Sequence, residues 1–324
     1  MATAWRRERD GRLTPSELSA AEPGPGRVAI AVEAVAIDRL DATPPGRVPG
    51  AAAVGVVTAV GVAADEWLGA RVLVPTVDAC GECDRCRRGG AALCATGGRL
   101  GVTAPGALAT TITAAARWLV RLDGALALPT PHAAALGGEL ARAYALYARA
   151  GVGPRDPVIV LGGGPLARAT VEILLQKGAA PVCATDDAAT IAALGERAAV
   201  TAIHTAAIED ALGSAGPRPR RVIVTDAALL EAGLRVAGPR ATVVVAAGDA
   251  EVAPPLAIAL AEEVTLTGVL DCHPDLVPEL AALVARGDLS LDALVEVVPV
   301  ATLADRLAER ARTRPATALV ATVA

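Results

Sequence analysis

The chain has no phenylalanine, three tryptophans and two tyrosines, so aromatics make up 2% of its 324 residues while hydrophobic residues make up 53%. An interior without large rings must be built from Ala, Val and Leu, which suits buried parallel strands covered by helices. Lysine is nearly absent too: Lys177 stands alone among 30 lysines and arginines, a compositional bias rather than a binding device. The net charge of −5 leaves no electrostatic footprint for phosphates, and no basic stretch is interleaved with aromatics. Nucleic acid is therefore excluded as a partner. No apolar run reaches bilayer length; the longest, Val48 to Ala64, is Gly-rich and too short. Arg6, Arg7, Glu8, Arg9 and Asp10 are followed by no apolar segment, which argues against a signal peptide. A cytoplasmic protein with no membrane contact is expected. At ~150 residues per domain, the length suggests two.

From Arg27 to about Arg121 the chain reads as short β-rich segments divided by Gly and Pro. Strands are expected over Arg27 to Ala36, Gly55 to Val62 and Arg71 to Thr76. After about Pro129 the texture changes. A helical stretch from Ala133 to Ala150 precedes an apolar strand, Pro157 to Leu161, and strands then alternate with helices. Strands are expected at Val182 to Thr185, Arg221 to Thr225, Ala241 to Ala247 and Val264 to Leu270, with helices ending at Val236 and running from Asp275 to Arg286. That rhythm means a parallel sheet with helical crossovers. A helix over Leu303 to Arg312 and a strand over Ala318 to Val323 close the chain.

Strand Pro157 to Leu161 runs into Gly162-Gly163-Gly164-Pro165-Leu166-Ala167 and then a helix, Arg168 to Lys177. This is G-x-G-x-x-A in its required setting, after a strand and opening a helix. Gly162 permits the tight turn, Gly164 lets the backbone approach a pyrophosphate, and Ala167 lets the helix pack on the sheet. Pro165 lacks an N–H, which costs nothing in a first helical turn; Leu166 lies among the amides that face the phosphates. The next strand ends at Asp186, 24 residues after Gly162. Its carboxylate can accept both ribose hydroxyls of NAD and would repel the 2′-phosphate of NADP, and no cation follows before Arg197 to neutralise that phosphate. NAD is the expected cofactor.

Cys80, Cys83, Cys86 and Cys94 are spaced C-x2-C-x2-C-x7-C. Four thiolates on one short loop can close a tetrahedron around zinc, with no position left for substrate. A disulfide pair is disfavoured in a reducing compartment, and an iron–sulfur cluster is expected to show a tighter last gap. Cys183 and Cys272, isolated in apolar segments, read as core.

With these motifs the chain resembles the medium-chain dehydrogenase/reductase superfamily, in its zinc-containing alcohol and polyol dehydrogenase branch, over nearly its whole length. The resemblance implies an α/β fold: a GroES-like β-rich lobe over 1–130, a doubly wound Rossmann NAD-binding domain over 131–284, and a return to the first lobe over 285–324. It also implies a cleft between the lobes, a homodimer or homotetramer, one structural zinc on the four cysteines, and cofactor contacts from Arg39, Ala247 and Val269. Catalytic zinc in that branch is held by a Cys, a His and a further Cys or Glu. Here Asp38 stands at the first position, Leu40 at the proton-relay position, and Ala51 and Ala52 where the family has His and Glu. Only Glu139 matches the third ligand. Two hard oxygen ligands without imidazole are a poor set for zinc.

The expected function is an NAD(H)-dependent oxidoreductase that moves a hydride to or from a small alcohol, ketone or activated alkene without a catalytic metal. The alternative is a catalytically silent NAD-binding member with a structural or regulatory role. Candidate proton-handling residues are Asp38, Glu139 and Tyr144, the last paired with Tyr147 at i, i+3 on one helix face. His132, His204 and His273 are lesser candidates. Arg7, Arg9, Arg85, Arg87 and Arg88 read as solvated.

Overall fold

The computed structural model describes residues 2–18, 22–38, 43–195, 201–203 (backbone only), 205, 208, 218–246 and 253–323. The chain divides into two compact units: 1–141 with 271–312 and 318–324, and 142–270 with 313–317. These limits differ from boundaries at 130/131 and 284/285. The helix Thr130–Leu136 packs on strands of the first unit and touches the helix Val277–Ala285, so both belong to that unit.

The first unit is built on a sheet in the order Val295–Pro299, Ala318–Thr322, Arg27–Ala36, Ala52–Val60, Arg71–Val74, Val120–Arg121, with Thr111–Ala115 also pairing with Arg27–Ala36. Arg27–Ala36 alternates apolar residues, and Val28, Ile30, Val32 and Val35 all enter one buried cluster with Val57, Val72, Leu108 and Leu319. The strand Val295–Pro299 was not legible in the pattern: among the described residues it has a partner along one edge only, and it is half exposed. The charged start of the chain is not a solvated tail. Ala2–Arg7 and Leu13–Leu18 form a hairpin. Arg6 donates to the Gly46 carbonyl (2.9 Å) and Arg7 to the Thr43 carbonyl (3.1 Å), so Arg7 is half-buried while Arg9 and Arg85, Arg87 and Arg88 are exposed.

The expected single helix from Ala133 to Ala150 is two, Thr130–Leu136 and Glu139–Ala150. Gly137 and Gly138, at the break, leave no room for a side chain. A Cβ at Gly137 would lie 2.4 Å from Ala52 Cβ, and one at Gly138 would lie 1.9 Å from Asp38 Oδ2.

In the second unit six strands are parallel, in the order Thr201–Ile203, Ala180–Ala184, Pro157–Leu161, Arg221–Val224, Thr242–Val245, Thr265–Gly268. Counted within the unit, this is 3-2-1-4-5-6, the doubly wound dinucleotide-binding order. Ile159, Leu161, Val222, Val224, Leu234 and Val243 fill one face with small and branched aliphatics, as a chain without phenylalanine requires.

Candidate functional site

Short strands Val77–Asp78 and Gly98–Arg99 pair and pinch off the loop between them. Inside it the four cysteines converge. Their Sγ separations are 3.5 Å for Cys80–Cys94 and Cys83–Cys86, 3.9 Å for Cys80–Cys86 and 4.0 Å for Cys83–Cys94. Thiolates placed about 2.3 Å from a tetrahedral zinc are separated by about 3.8 Å, so the quartet has the dimensions of a zinc cage. No pair approaches the ~2.05 Å of a disulfide. Amides of Cys80 and Gly97 donate to Cys94 Sγ (3.3 and 3.1 Å) and that of Cys83 to Cys80 Sγ (3.4 Å), which favours thiolates. The Glu82 amide, the Thr96 hydroxyl and the Cys83 amide hold the Cys80 thiol down to about 6. Burial pushes Cys86 up to about 12, a value that a bound cation reverses. Among the described residues this is the one group of three or more His, Cys, Asp or Glu able to share a metal. Cys183 and Cys272 are buried core residues, and burial raises both thiols.

In the second unit the sheet order reverses between Pro157–Leu161 and Arg221–Val224, and a ligand crevice opens outside the carboxyl ends of such strands. Leu161 feeds the glycine turn there, and the helix starts at Gly164 and runs to Gln176, earlier than Arg168. Gly162 has φ +123° and a Cβ on it would lie 2.3 Å from Thr225 Oγ1, whereas a Cβ on Gly164 (φ +78°) meets nothing within 4 Å. One glycine serves the turn and the other leaves open approach. The amides are not all available to a phosphate, however. Gly164 N–H donates to Thr190 Oγ1 at 2.8 Å, with Asp187 Oδ2 at 3.4 Å, and Pro165 has none. Leu166 N–H lies in the first helical turn, where amides have no intrahelical acceptor. Asp187 also caps the helix Ala188–Gly195, accepting from Thr190 N–H at 2.9 Å.

Asp186 is exposed just past the strand Ala180–Ala184, where it accepts from the Thr205 amide (3.2 Å) and hydroxyl. Val269 is buried and ties its amide to Val245 O at 2.8 Å. Arg39, Ala247 and His204 lie outside the described residues. Tyr144 is 1% exposed, its hydroxyl accepts from Lys177 Nζ at 3.2 Å, and the ammonium lies 5.2 Å from its ring centre and 5.4 Å from that of Tyr147. Tyr144 is thus enclosed within the second unit, with its hydroxyl engaged by Lys177. Sequence pattern gave no warning of Arg142, which is 8% exposed and donates from Nη2 to the Ala246 carbonyl at 3.0 Å. Its only signal was a charge at an apolar helical position.

In the first unit Asp38 follows the strand Arg27–Ala36 and is 8% exposed, seated against the Cα of Gly138. Arg310, on the helix Leu303–Thr313, carries a guanidinium that senses the Asp38 charge and pairs with Glu296 at 2.5 Å; Arg306 pairs with the other Glu296 oxygen. Glu139 is half-buried at the start of its helix, and Ala51 and Ala52 are fully packed, Ala51 N–H donating to Ala36 O at 2.9 Å. Methyl groups at those two positions offer a metal nothing. Among these four positions only Asp38 and Glu139 carry donor atoms, two hard oxygen ligands without imidazole. His132 faces Asp292 at 3.4 Å. His273 packs edge-on to Trp118, centroids 5.8 Å apart, and accepts the Asp275 amide at 3.3 Å.

Residues 24–124 match the alcohol dehydrogenase GroES-like domain. This GroES-like lobe contains Asp38 and the cysteine quartet. Solved structures match the chain from end to end. The short chain alcohol dehydrogenase of Escherichia coli CFT073, complexed with NADH, is 20% identical with a TM-score of 0.90, covering 99% of both chains. Alcohol dehydrogenase from Thermus sp. ATN1 is 23% identical, TM-score 0.89, over 99% of this chain and 100% of that one. Acetophenone reductase from Geotrichum candidum NBRC 4597, in complex with NAD, is 18% identical, TM-score 0.82, over 99% and 97%. At such identities the likeness is one of fold: a GroES-like β-rich lobe plus a doubly wound Rossmann sheet. No curated protein matches the sequence. Among the described residues no helix is long and apolar enough to cross a membrane.

Proposed function

We propose that this chain is an NAD(H)-dependent oxidoreductase of the medium-chain dehydrogenase/reductase superfamily that keeps a structural zinc on Cys80, Cys83, Cys86 and Cys94 and works without a catalytic one. The observation that carries the reading is the glycine turn at the switch point of a 3-2-1-4-5-6 sheet, with Asp186 at the end of the second strand. Leu166 N–H and the helix dipole hold the pyrophosphate, and Asp186 receives the ribose hydroxyls and disfavours a 2′-phosphate. Bound NADH supplies the hydride. Asp38 and Glu139 are the carboxylates assigned to hold or deliver the accompanying proton.

A catalytic zinc would polarise the substrate oxygen by several kcal/mol, and Ala51 and Ala52 supply no ligand for it. The substrates that suit this site are small molecules whose hydride acceptor needs less polarisation, such as activated alkenes and conjugated ketones, ahead of simple alcohols. The reading extends to a homodimer or homotetramer. Thr265–Gly268 ends the parallel sheet with Leu266 exposed, and Leu256 and Leu260 are exposed on the helix Leu256–Ala261. An edge that is open among the described residues, beside apolar side chains, suits a second copy related by a two-fold axis.

The test is a panel of alcohols, ketones and enones followed through the dihydronicotinamide absorbance. Turnover of an enone or ketone that survives removal of weakly held metal supports the reading. NADH binding with no turnover of any class would leave a silent binder, and absence of NADH binding would end the cofactor assignment.

A further inference from the structure

Arg142 belongs to none of the motifs that the cofactor reading uses. It lies on the helix Glu139–Ala150 and is one of the few charged side chains buried among the described residues. Burying a guanidinium carries a heavy desolvation cost, so its location requires a reason beyond packing. Its Nη2 donates to the carbonyl of Ala246 at 3.0 Å. Ala246 is the residue that follows the strand Thr242–Val245, it is 2% exposed, and its own amide donates to Val224 O at 2.9 Å. The next strand is tied in the same way, Val269 N–H to Val245 O at 2.8 Å. Arg142 therefore ties its helix to the carboxyl end of the fifth strand, which the sheet's own backbone hydrogen bonds join to the fourth and sixth.

The position of that clamp has a consequence. In a 3-2-1-4-5-6 sheet the two mononucleotide halves of the cofactor lie over strands 1 to 3 and strands 4 to 6. The ribose-binding acid, Asp186, follows strand 2, which assigns the adenosine to the first half and the nicotinamide to the second. We infer that Arg142 is a positioning residue for the nicotinamide half of the cofactor, acting by fixing the Ala246 carbonyl just past the carboxyl end of the fifth strand. This rests on the NAD reading above.

The experiment compares NADH with ADP-ribose, which keeps the adenosine and pyrophosphate but lacks the nicotinamide. Dissociation constants for both are measured by calorimetry on full-length wild type, Arg142→Gln and Arg142→Lys. We expect Arg142→Gln to weaken NADH about tenfold while ADP-ribose changes by less than about twofold, with Arg142→Lys recovering part of the loss. Retained ADP-ribose binding also reports that the sheet is folded. Equal weakening of both ligands, or no change in either, would overturn the inference. A wild-type chain that binds neither would refute the cofactor reading itself, and the inference with it.

Discussion

Replacing Gly138 by alanine tests the placement of Asp38 directly. A Cβ there would come 1.9 Å from Asp38 Oδ2 and 2.9 Å from its Cγ, with Ala36 Cβ next at 3.1 Å. Gly138 does not have a positive φ, so backbone strain plays no part and the clash is the whole effect. Asp38 is 8% exposed and cannot swing freely into water, so it or the start of the helix Glu139–Ala150 must shift by more than an ångström. Overpacking of this kind costs about 2–3 kcal/mol. In an Asp38→Ala background the two nearest atoms are gone, and the next, Ala36 Cβ, has to give by a few tenths of an ångström. There the same change should cost less than ~1 kcal/mol, because a lost glycine also reduces the entropy of the unfolded chain. Thermal midpoints of wild type, both single variants and the double variant form the cycle. Equal destabilisation by Gly138→Ala in both backgrounds would refute the argument, and so would a fully stable single variant.

Asp186→Ala should remove the preference for NADH over NADPH and weaken NADH about tenfold, read by fluorescence titration; unchanged selectivity would count against the ribose assignment. Thr190→Val should destabilise the second unit by about 1–2 kcal/mol, because the Gly164 amide loses its 2.8 Å acceptor; an unshifted melting transition would contradict this. Burial pushes the Glu296 carboxyl up, but hydrogen bonds from Arg306 and Arg310 outweigh it and leave it below its ordinary value of 4.5. A depressed carboxyl stabilises fully above its unfolded value and loses that contribution as pH falls through the folded one. Glu296→Gln should therefore cost about 1–3 kcal/mol at neutral pH, and the gap from wild type should close as the solution is acidified below 4.5. A pH-independent gap would show that the arginines do not act through charge.

Sequence pattern is most informative where one local rule governs. The strands Arg27–Ala36 and Pro157–Leu161 were legible to the residue because alternation or an unbroken apolar run continues up to a turn signal. The cysteine quartet and the glycine turn were legible for the same reason, since their chemistry lies in short spacings. Features set by distant neighbours were not. The need for glycine at 137 and 138 depends on Ala52 and Asp38, far back in the chain. The loss of the Gly164 amide to Thr190, the Lys177 contact that encloses Tyr144, and the Arg142 clamp are tertiary pairings that no spacing rule contains. The hairpin Ala2–Leu18 was hidden because its charged side chains bond to the Thr43–Gly46 loop rather than to water.

The central claim is that this chain grips a nicotinamide dinucleotide after losing the ligands for an activating ion. Zinc counted per chain by elemental mass spectrometry, on protein shown by titration to bind NADH, tests it most directly. The account predicts one ion, absent when Cys83 and Cys86 are both changed to serine. Two ions per chain, one of them surviving that double change and required for turnover, would contradict it.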